Sequence, residues 1–421
     1  MKTRAVHVVL LMVISTMVGY YVGVSKIDFA WKQYQPQITI VGKEPPQSMS
    51  QIDFNQFWTV WQKLQNGYYD KTKIDPQKML NGAISGMVDS LDDPYTMYLP
   101  RSQNDDFKST LAGKFQGIGA ELGMVAKQII VVAPLDGSPA SKSGIKPGDA
   151  ILKVNGVSTF GWTLGQAVEK IRGPKDTKVT LTILHKSAEK AVEVSIVRDT
   201  ISIKSVEGWV KEVKDIPQVS ITPALVGKDK QRIAYIRLSQ FGDSTNIDWT
   251  PVVNKIAMSI QNEGKIAGLI LDLRNNPGGY LTEATYVSSE FLRSGVVVIQ
   301  DRGNGQETEF SVNRKGLLMD IPMVVLINKG SASAAEIVSG ALRDHKRAKL
   351  IGEISFGKGT IQTSEDLGEG AGIHVTIAKW LTPNKIWVHG KGLAPDVLVE
   401  YDPKLENRDN QLEKAVEELV K

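Results

Sequence analysis

At 421 residues the chain is too long for one ordinary core, so two or three domains are expected. Its 42% hydrophobic and 23% charged residues exclude disordered and collagen-like classes, and a net charge of +4 with no basic stripe argues against nucleic-acid binding. The absence of cysteine removes disulfides, thiolate catalysis and cysteine-based zinc sites.

From the N-terminus, Ala5 to Val24 is an apolar run in which only His7 can titrate. About 20 such residues span a hydrocarbon core. The run is long for a cleaved signal and has no small-x-small site, so residues 1–25 read as an uncleaved transmembrane signal anchor. Lys2 and Arg4 favour a cytoplasmic N-terminus, which puts the body on the extracytoplasmic side, periplasmic or extracellular. Residues 26–50, with GKEPPQ and no periodicity, read as a linker. A helical segment follows over 51–112. Phe54, Phe57, Trp58, Trp61 and Leu64 recur at helical spacing, and after Asp75 and Pro76 so do Met79, Leu80, Ala83, Ile84, Met87, Val88 and Leu91. Both stripes are expected to be core. The run DDPYTMYLP, 92–100, breaks the helix.

Over 113–200 short β-branched runs alternate with glycine: GIGAEL, QIIVVAPL, DAILKVNG, KVTLTIL and AVEVSIV, with a helical TLGQAVEKIR among them. This is a small β-rich module. Over 201–421 strands and helices alternate: strand 232–238, helix around Trp249 to Ile260, strand 267–273, helix 280–292, strand 323–328, helix 333–342 and strand 349–352. That order implies βαβ units and a largely parallel sheet. The run RDNQLEKAVEELVK reads as a final amphipathic helix.

The run VLINKGSASAAEIVSGAL, 325–342, sets Ser331 and Ser333 where a buried strand empties into a helix N-terminus. Free amides and the helix dipole favour developing negative charge there, and the Ala334 N–H is one such donor. Taken alone, the run also fits a tight turn with capping hydroxyls. A nucleophilic serine needs a base, and none of the five histidines is a convincing one. Lys358, between Gly357 and Gly359, can serve if burial depresses its pKa by roughly 3 units. A second donor can come from Gly279, in the strand-to-turn run LDLRNNPGGYL. A rival reading takes GEISFGKGT as a phosphate loop with Asp272 as a magnesium ligand, but Gly359 stands where the metal-binding hydroxyl belongs.

Six runs in order carry a resemblance: DPYT, GIGAEL, SGIKPGDAILKVNG, LDLRNNPGG, GSASAAEI and GKGTIQ. From about residue 50 to the end the sequence resembles the carboxyl-terminal processing peptidases, or tail-specific serine proteases. The resemblance implies a crotonase-like α/β protease core with an inserted PDZ domain. It implies Ser333, rather than Ser331, as nucleophile, Lys358 as general base, Gln362 as the residue orienting that lysine, and the amides of Gly279 and Ala334 as the oxyanion hole. Gly117, Ile118, Gly119 and Ala120 then match the PDZ loop that captures a peptide's terminal carboxylate. The implied activity is a serine endopeptidase working through an acyl-enzyme, with no metal or cofactor. Its partners are protein or peptide C-termini and the membrane; a homo-oligomer or adaptor protein stays open. The competing reading is a catalytically silent PDZ scaffold, against which intact Ser333, Lys358 and Gln362 argue.

Overall fold

The computed structural model describes residues 12–17, 27–32, 35–40 and 53–421, apart from positions 126, 136, 147, 163, 186, 187, 203, 403 and 406. The expected membrane anchor lies mostly outside the described residues. Residues 12–17 are helical, and no helix among the described residues is long and apolar enough to cross a membrane. The chain divides into two compact units, Met1–Leu80 and Asn81–Lys421.

In the first unit, the stretch expected as a linker contains β1 (Ile27–Lys32) and β2 (Gln35–Ile40), paired antiparallel with Ile27 opposite Ile40 and Phe29 opposite Ile38. Both runs alternate apolar and polar residues, a strand signal that the reading as linker overlooked. Helix α1 (Asn55–Gly67) forms at the expected aromatic stripe, but none of its residues is buried, and Phe54, Trp58 and Leu64 are open. The expectation of core is thereby corrected. Periodicity sets which residues share a face, not whether anything covers that face. Helix α2 (Pro76–Asp89) runs across the boundary between the units, its first turn capped by the Asp75 carboxylate, which accepts from the Gln77 and Lys78 amides.

The second unit begins at Asn81, within α2, and the chain breaks from the helix at DDPYT. A short strand, β3 (Met97–Leu99), and helix α3 (Arg101–Leu111) lead into the β-rich module. There β4 (Lys114–Gly117) pairs with β11 (Asp199–Ser202), which brings the module's two ends together. Between them, β5 (Ala120–Val125), β6 (Gln128–Pro134), β7 (Ala150–Val154), β9 (Lys178–Leu184) and β10 (Val192–Val197) form a sheet in the order β10-β9-β7-β6-β5, with β8 (Val157–Ser158) beside β7. Short helix α4 (Pro139–Lys142) and helix α5 (Leu164–Ile171) complete the module. Its core is Ile129, Val131, Ile151, Leu181 and Ile183, closed by Ala167 and Ile171 of α5.

The alternating second half folds as its pattern predicts. Strands β13 (Arg232–Leu238), β14 (Gly268–Asp272), β17 (Met323–Ile327), β18 (Lys349–Gly352) and β21 (Val397–Leu398) run parallel, and β12 (Val206–Glu212) adds antiparallel at one edge. One face is covered by helices α6 (Thr245–Glu263), α7 (Leu281–Ser288) and α8 (Ala334–Asp344) around Trp249, Phe291 and Val325. The other face is covered by the last helix, α9 (Asn410–Leu419), through Leu412, Ala415 and Val416. Strands β14 and β17 are buried throughout, as strands covered on both faces must be. A second, antiparallel sheet, which the sequence reading did not identify, joins β15 (Val296–Asp301), β16 (Glu307–Ser311), β19 (Thr360–Gly368) and β20 (Ala371–Leu381), with β3 paired to β20.

Candidate active site

The strand β17 ends at Ile327, and the chain then turns through Gly330 into α8. The two serines of that turn have different surroundings. Ser331 is fully buried; its hydroxyl donates to the Leu273 carbonyl at 2.8 Å and accepts from the Asn328 amide at 3.0 Å. It ties β17 to the end of β14. Ser333 is half-buried at the N-cap of α8, with φ 52° and ψ −115°. A non-glycine residue there is strained by about 1–3 kcal/mol, and such strain concentrates at functional sites.

The NNPGG turn lies against this cap. Its Asn276 side chain donates to the Leu238 carbonyl and accepts from the Gly278 amide, and the Asn276 carbonyl accepts from Ala332. A Cβ on Gly278 would sit 2.7 Å from the Ser333 Cβ and 2.9 Å from the Ala334 nitrogen, so only glycine permits the approach. Neither the Gly279 amide nor the Ala334 amide has an acceptor among the described residues. Two unpaired amides beside a strained serine are what stabilisation of an oxyanion requires.

Lys358 arrives from the loop between β18 and β19. The flanking glycines are required sterically: a Cβ at Gly357 would meet the Gly392 nitrogen at 2.8 Å, and one at Gly359 the Trp387 Nε1 at 2.7 Å. Indole N–H groups of Trp380 and Trp387 donate to the Lys358 and Gly359 carbonyls, each at 2.8 Å. Lys358 is half-buried, and burial holds its amine below the ordinary lysine range, opposed by the nearby Asp93 carboxylate. Its Nζ and the Ser333 Oγ share no hydrogen bond among the described residues. Nor does Gln362 hydrogen-bond the lysine among the described residues; its Nε2 donates to Thr360 Oγ1 at 2.9 Å and Thr376 Oγ1 at 3.0 Å. The role expected of Gln362 in orienting Lys358 has no hydrogen bond behind it among the described residues. Paired across β19 and β20, the amide lies close to two hydroxyls and bonds to them.

Two groups to which the sequence assigned no role complete the site. Glu336, fully buried on α8, accepts from the Ser333 and Lys358 amides with one oxygen, both at 2.9 Å. Its other oxygen accepts from the Ser355 hydroxyl at 2.6 Å and the Gly357 amide at 2.7 Å. The run Ser-x-x-Glu at 333–336 is a capping-box signature, which could have drawn attention to it. The second group is the DPYT run. Asp93 accepts from the Tyr95 amide at 3.1 Å and the Thr96 hydroxyl at 2.7 Å. Burial pushes its carboxyl up, but hydrogen bonds from Thr376 and Thr96 outweigh that and hold it low.

The rival phosphate-loop reading is overturned. The Lys358 loop runs into strand β19 rather than a helix, and Asp272 is buried against Arg274, whose Nε lies 3.0 Å from Oδ1, and against the Tyr235 hydroxyl at 2.8 Å. No cluster able to hold a metal occurs among the described residues.

In the β-rich module, β5 is an edge strand, and Gly117 to Ala120 form the turn that enters it. The Ile118 side chain is in the module's core, while the amides of Ile118 and Gly119 have no acceptor among the described residues. Gly119, at φ 73°, packs so closely that a Cβ would lie 2.5 Å from the Ser138 Cβ. Gly119→Ala is expected to weaken binding of a labelled C-terminal peptide by at least about tenfold, because strain and clash of this kind cost ~1–3 kcal/mol. Unchanged affinity in fluorescence anisotropy would show that the loop does not need its glycine.

Comparison with known proteins gives the family and its domains. Peptidase family S41 matches residues 232–399, the PDZ domain matches 108–184, and the activating protease CtpB N-terminal domain matches 12–102. The chain is 38% identical over 347 residues to the carboxy-terminal processing protease CtpA of Bacillus subtilis (strain 168), covering 82% of this chain and 69% of that one. The chain belongs to peptidase family S41. A carboxy-terminal-processing protease of Bartonella bacilliformis is also 38% identical, over 82% of this chain and 74% of its own length. Among solved structures, the photosystem II D1 C-terminal processing protease matches with a TM-score of 0.50 and 29% identity, over 82% of this chain and 92% of that one. A putative S41 protease from Bacteroides fragilis shares the fold, with a TM-score of 0.54 at 15% identity, over 93% and 98% of the two chains. The protein is a serine-type peptidase of the C-terminal processing class, a mixed α/β S41 protease carrying a PDZ domain.

Proposed function

We propose that this S41 peptidase cleaves through Ser333 and Lys358. Neutral Lys358 takes the Ser333 proton as Oγ attacks the scissile carbonyl, and the resulting ammonium then protonates the leaving amine. The amides of Gly279 and Ala334 stabilise the tetrahedral oxyanion, and water releases the acyl group. Gln362 positions the lysine once the ammonium has given up its proton. The Gly279 and Ala334 amides, without an acceptor among the described residues, together with the strained backbone of Ser333, are the observation that carries this reading. Substrate tails add as a strand to the β5 edge, with the carboxylate at Gly117, Ile118, Gly119 and Ala120. The apolar run Ala5 to Val24 supports a membrane anchor with the catalytic part outside the cytoplasm, and the helix-covered parallel sheet supports kinship of the core with crotonase-like sheets.

The test is cleavage of one unfolded protein bearing a free or an amidated C-terminus, with Ser333→Ala as control. Hydrogen bonds to a charged group are worth ~1.5–3 kcal/mol, so amidation is expected to slow cleavage about tenfold to a hundredfold. Equal rates with either end would remove tail capture from the reading; cleavage by Ser333→Ala would remove the nucleophile.

A further inference from the structure

Among the described residues the Lys358 Nζ hydrogen-bonds to neither Ser333 nor Gln362. It lies 4.8 Å from the centroid of the Tyr95 ring. That is within the range where a ring face attracts a cation, and a neutral amine gains little from the same contact. Tyr95 is itself well held. Its amide donates to Asp93, its ring meets the His389 ring edge-on at 6.0 Å, and the chain then continues into β3, where Met97 pairs with His374 of β20.

We propose that Tyr95 is a positioning residue that docks Lys358 as an ammonium in the resting enzyme, and that loss of the proton to water frees the amine to turn toward Ser333. The inference rests on the reading of Lys358 as the base. Several groups face this lysine. From the segment before β3 come Asp93 and Tyr95, and from β20 comes His374, whose imidazole is held low by burial and by the lysine. Glu336 of α8 accepts from the Lys358 amide, and His389 stands beside Tyr95 and the Gly359 amide. The Asp93 carboxylate and the Tyr95 ring favour the cation; burial opposes them. The phenol is not a competing base, because burial and the charges of Glu336 and Asp93 raise it above its ordinary value and keep it protonated.

The dock predicts a pH signature. Removing a ring that favours the ammonium lowers the pKa of Lys358, so the acid limb of kcat/KM moves to lower pH. For Tyr95→Leu the expected displacement is roughly 0.4–1.5 pH units, whereas Tyr95→Phe, which keeps a ring face, leaves the limb near that of the wild type. The measurement is kcat/KM of the full chain against an unfolded protein, across the acid limb, with Ser333→Ala in parallel. If Tyr95→Leu does not fold, a ring-fluorinated phenylalanine at position 95 keeps the packing while weakening the face, and the same downward shift is expected. A limb that stays in place, moves up, or loses rate equally at every pH overturns the dock and leaves the dyad standing. Turnover by Ser333→Ala overturns the dyad instead.

Discussion

Lys358→Arg is expected to abolish turnover, by at least about a thousandfold in kcat, while the protein stays folded. A guanidinium remains protonated far above neutrality and cannot accept the Ser333 proton. Arginine nevertheless keeps a cation where Lys358 lies over Tyr95 and beside Asp93, so the packing of the loop has no reason to fail. The loop is held by its backbone, through Glu336, Trp380 and Trp387. Circular dichroism and thermal melting report the fold; hydrolysis of an unfolded protein reports the chemistry. A variant with near-wild-type turnover would exclude Lys358 as base and require another acceptor beside Ser333.

Glu336→Gln is expected to lower kcat about a hundredfold and to destabilise the core domain, with binding of C-terminal peptides to the PDZ domain unchanged. Each carboxylate oxygen takes two donors: the Ser333 and Lys358 amides on one, the Ser355 hydroxyl and Gly357 amide on the other. A carboxamide offers one oxygen. Whichever way it turns, its NH2 group faces donors, and each buried donor left unsatisfied costs about 1–3 kcal/mol. The nucleophile turn and the base loop then lose their common anchor. Small displacements of reacting groups cost orders of magnitude in rate, which is the basis for the expected loss. Parallel measurement of kcat, KM and the melting temperature checks this. Unchanged kcat alongside a lower melting temperature would show that the carboxylate holds the fold without governing the chemistry.

The parallel sheet was legible because each strand from Arg232 to Gly352 is followed by a helix or turn with its own local signal, and continuous apolar runs such as Met323–Ile327 mark strands covered on both faces. The second sheet was not. Strand β19 reads TIQTSEDLG, polar and largely exposed, and β20 finds one of its partners in Met97–Leu99, far away in sequence. Pairing across such a distance leaves no periodic trace. The site divides in the same way. Ser333, Lys358 and the NNPGG turn each sit at a strand-to-turn junction and could be found locally. What distinguishes Ser331 from Ser333 is a hydrogen bond to Leu273, a contact between strands that no local pattern contains. Tyr95 gave no local sign of facing Lys358. The aromatic stripe of α1 is the converse case, a clear helical pattern whose apolar face lies open.

The backbone of Ser333 has one more consequence. At φ 52° and ψ −115° it occupies a region open to glycine and hostile to residues with a Cβ. The surrounding sheet must therefore be rigid enough to impose this conformation, and the folded chain is less stable than it would be with glycine at 333. Durability and activity are opposed at this single position. Any search for sturdier variants by stability alone would favour replacing the very hydroxyl that gives the enzyme its use, so such a search needs a turnover screen alongside it.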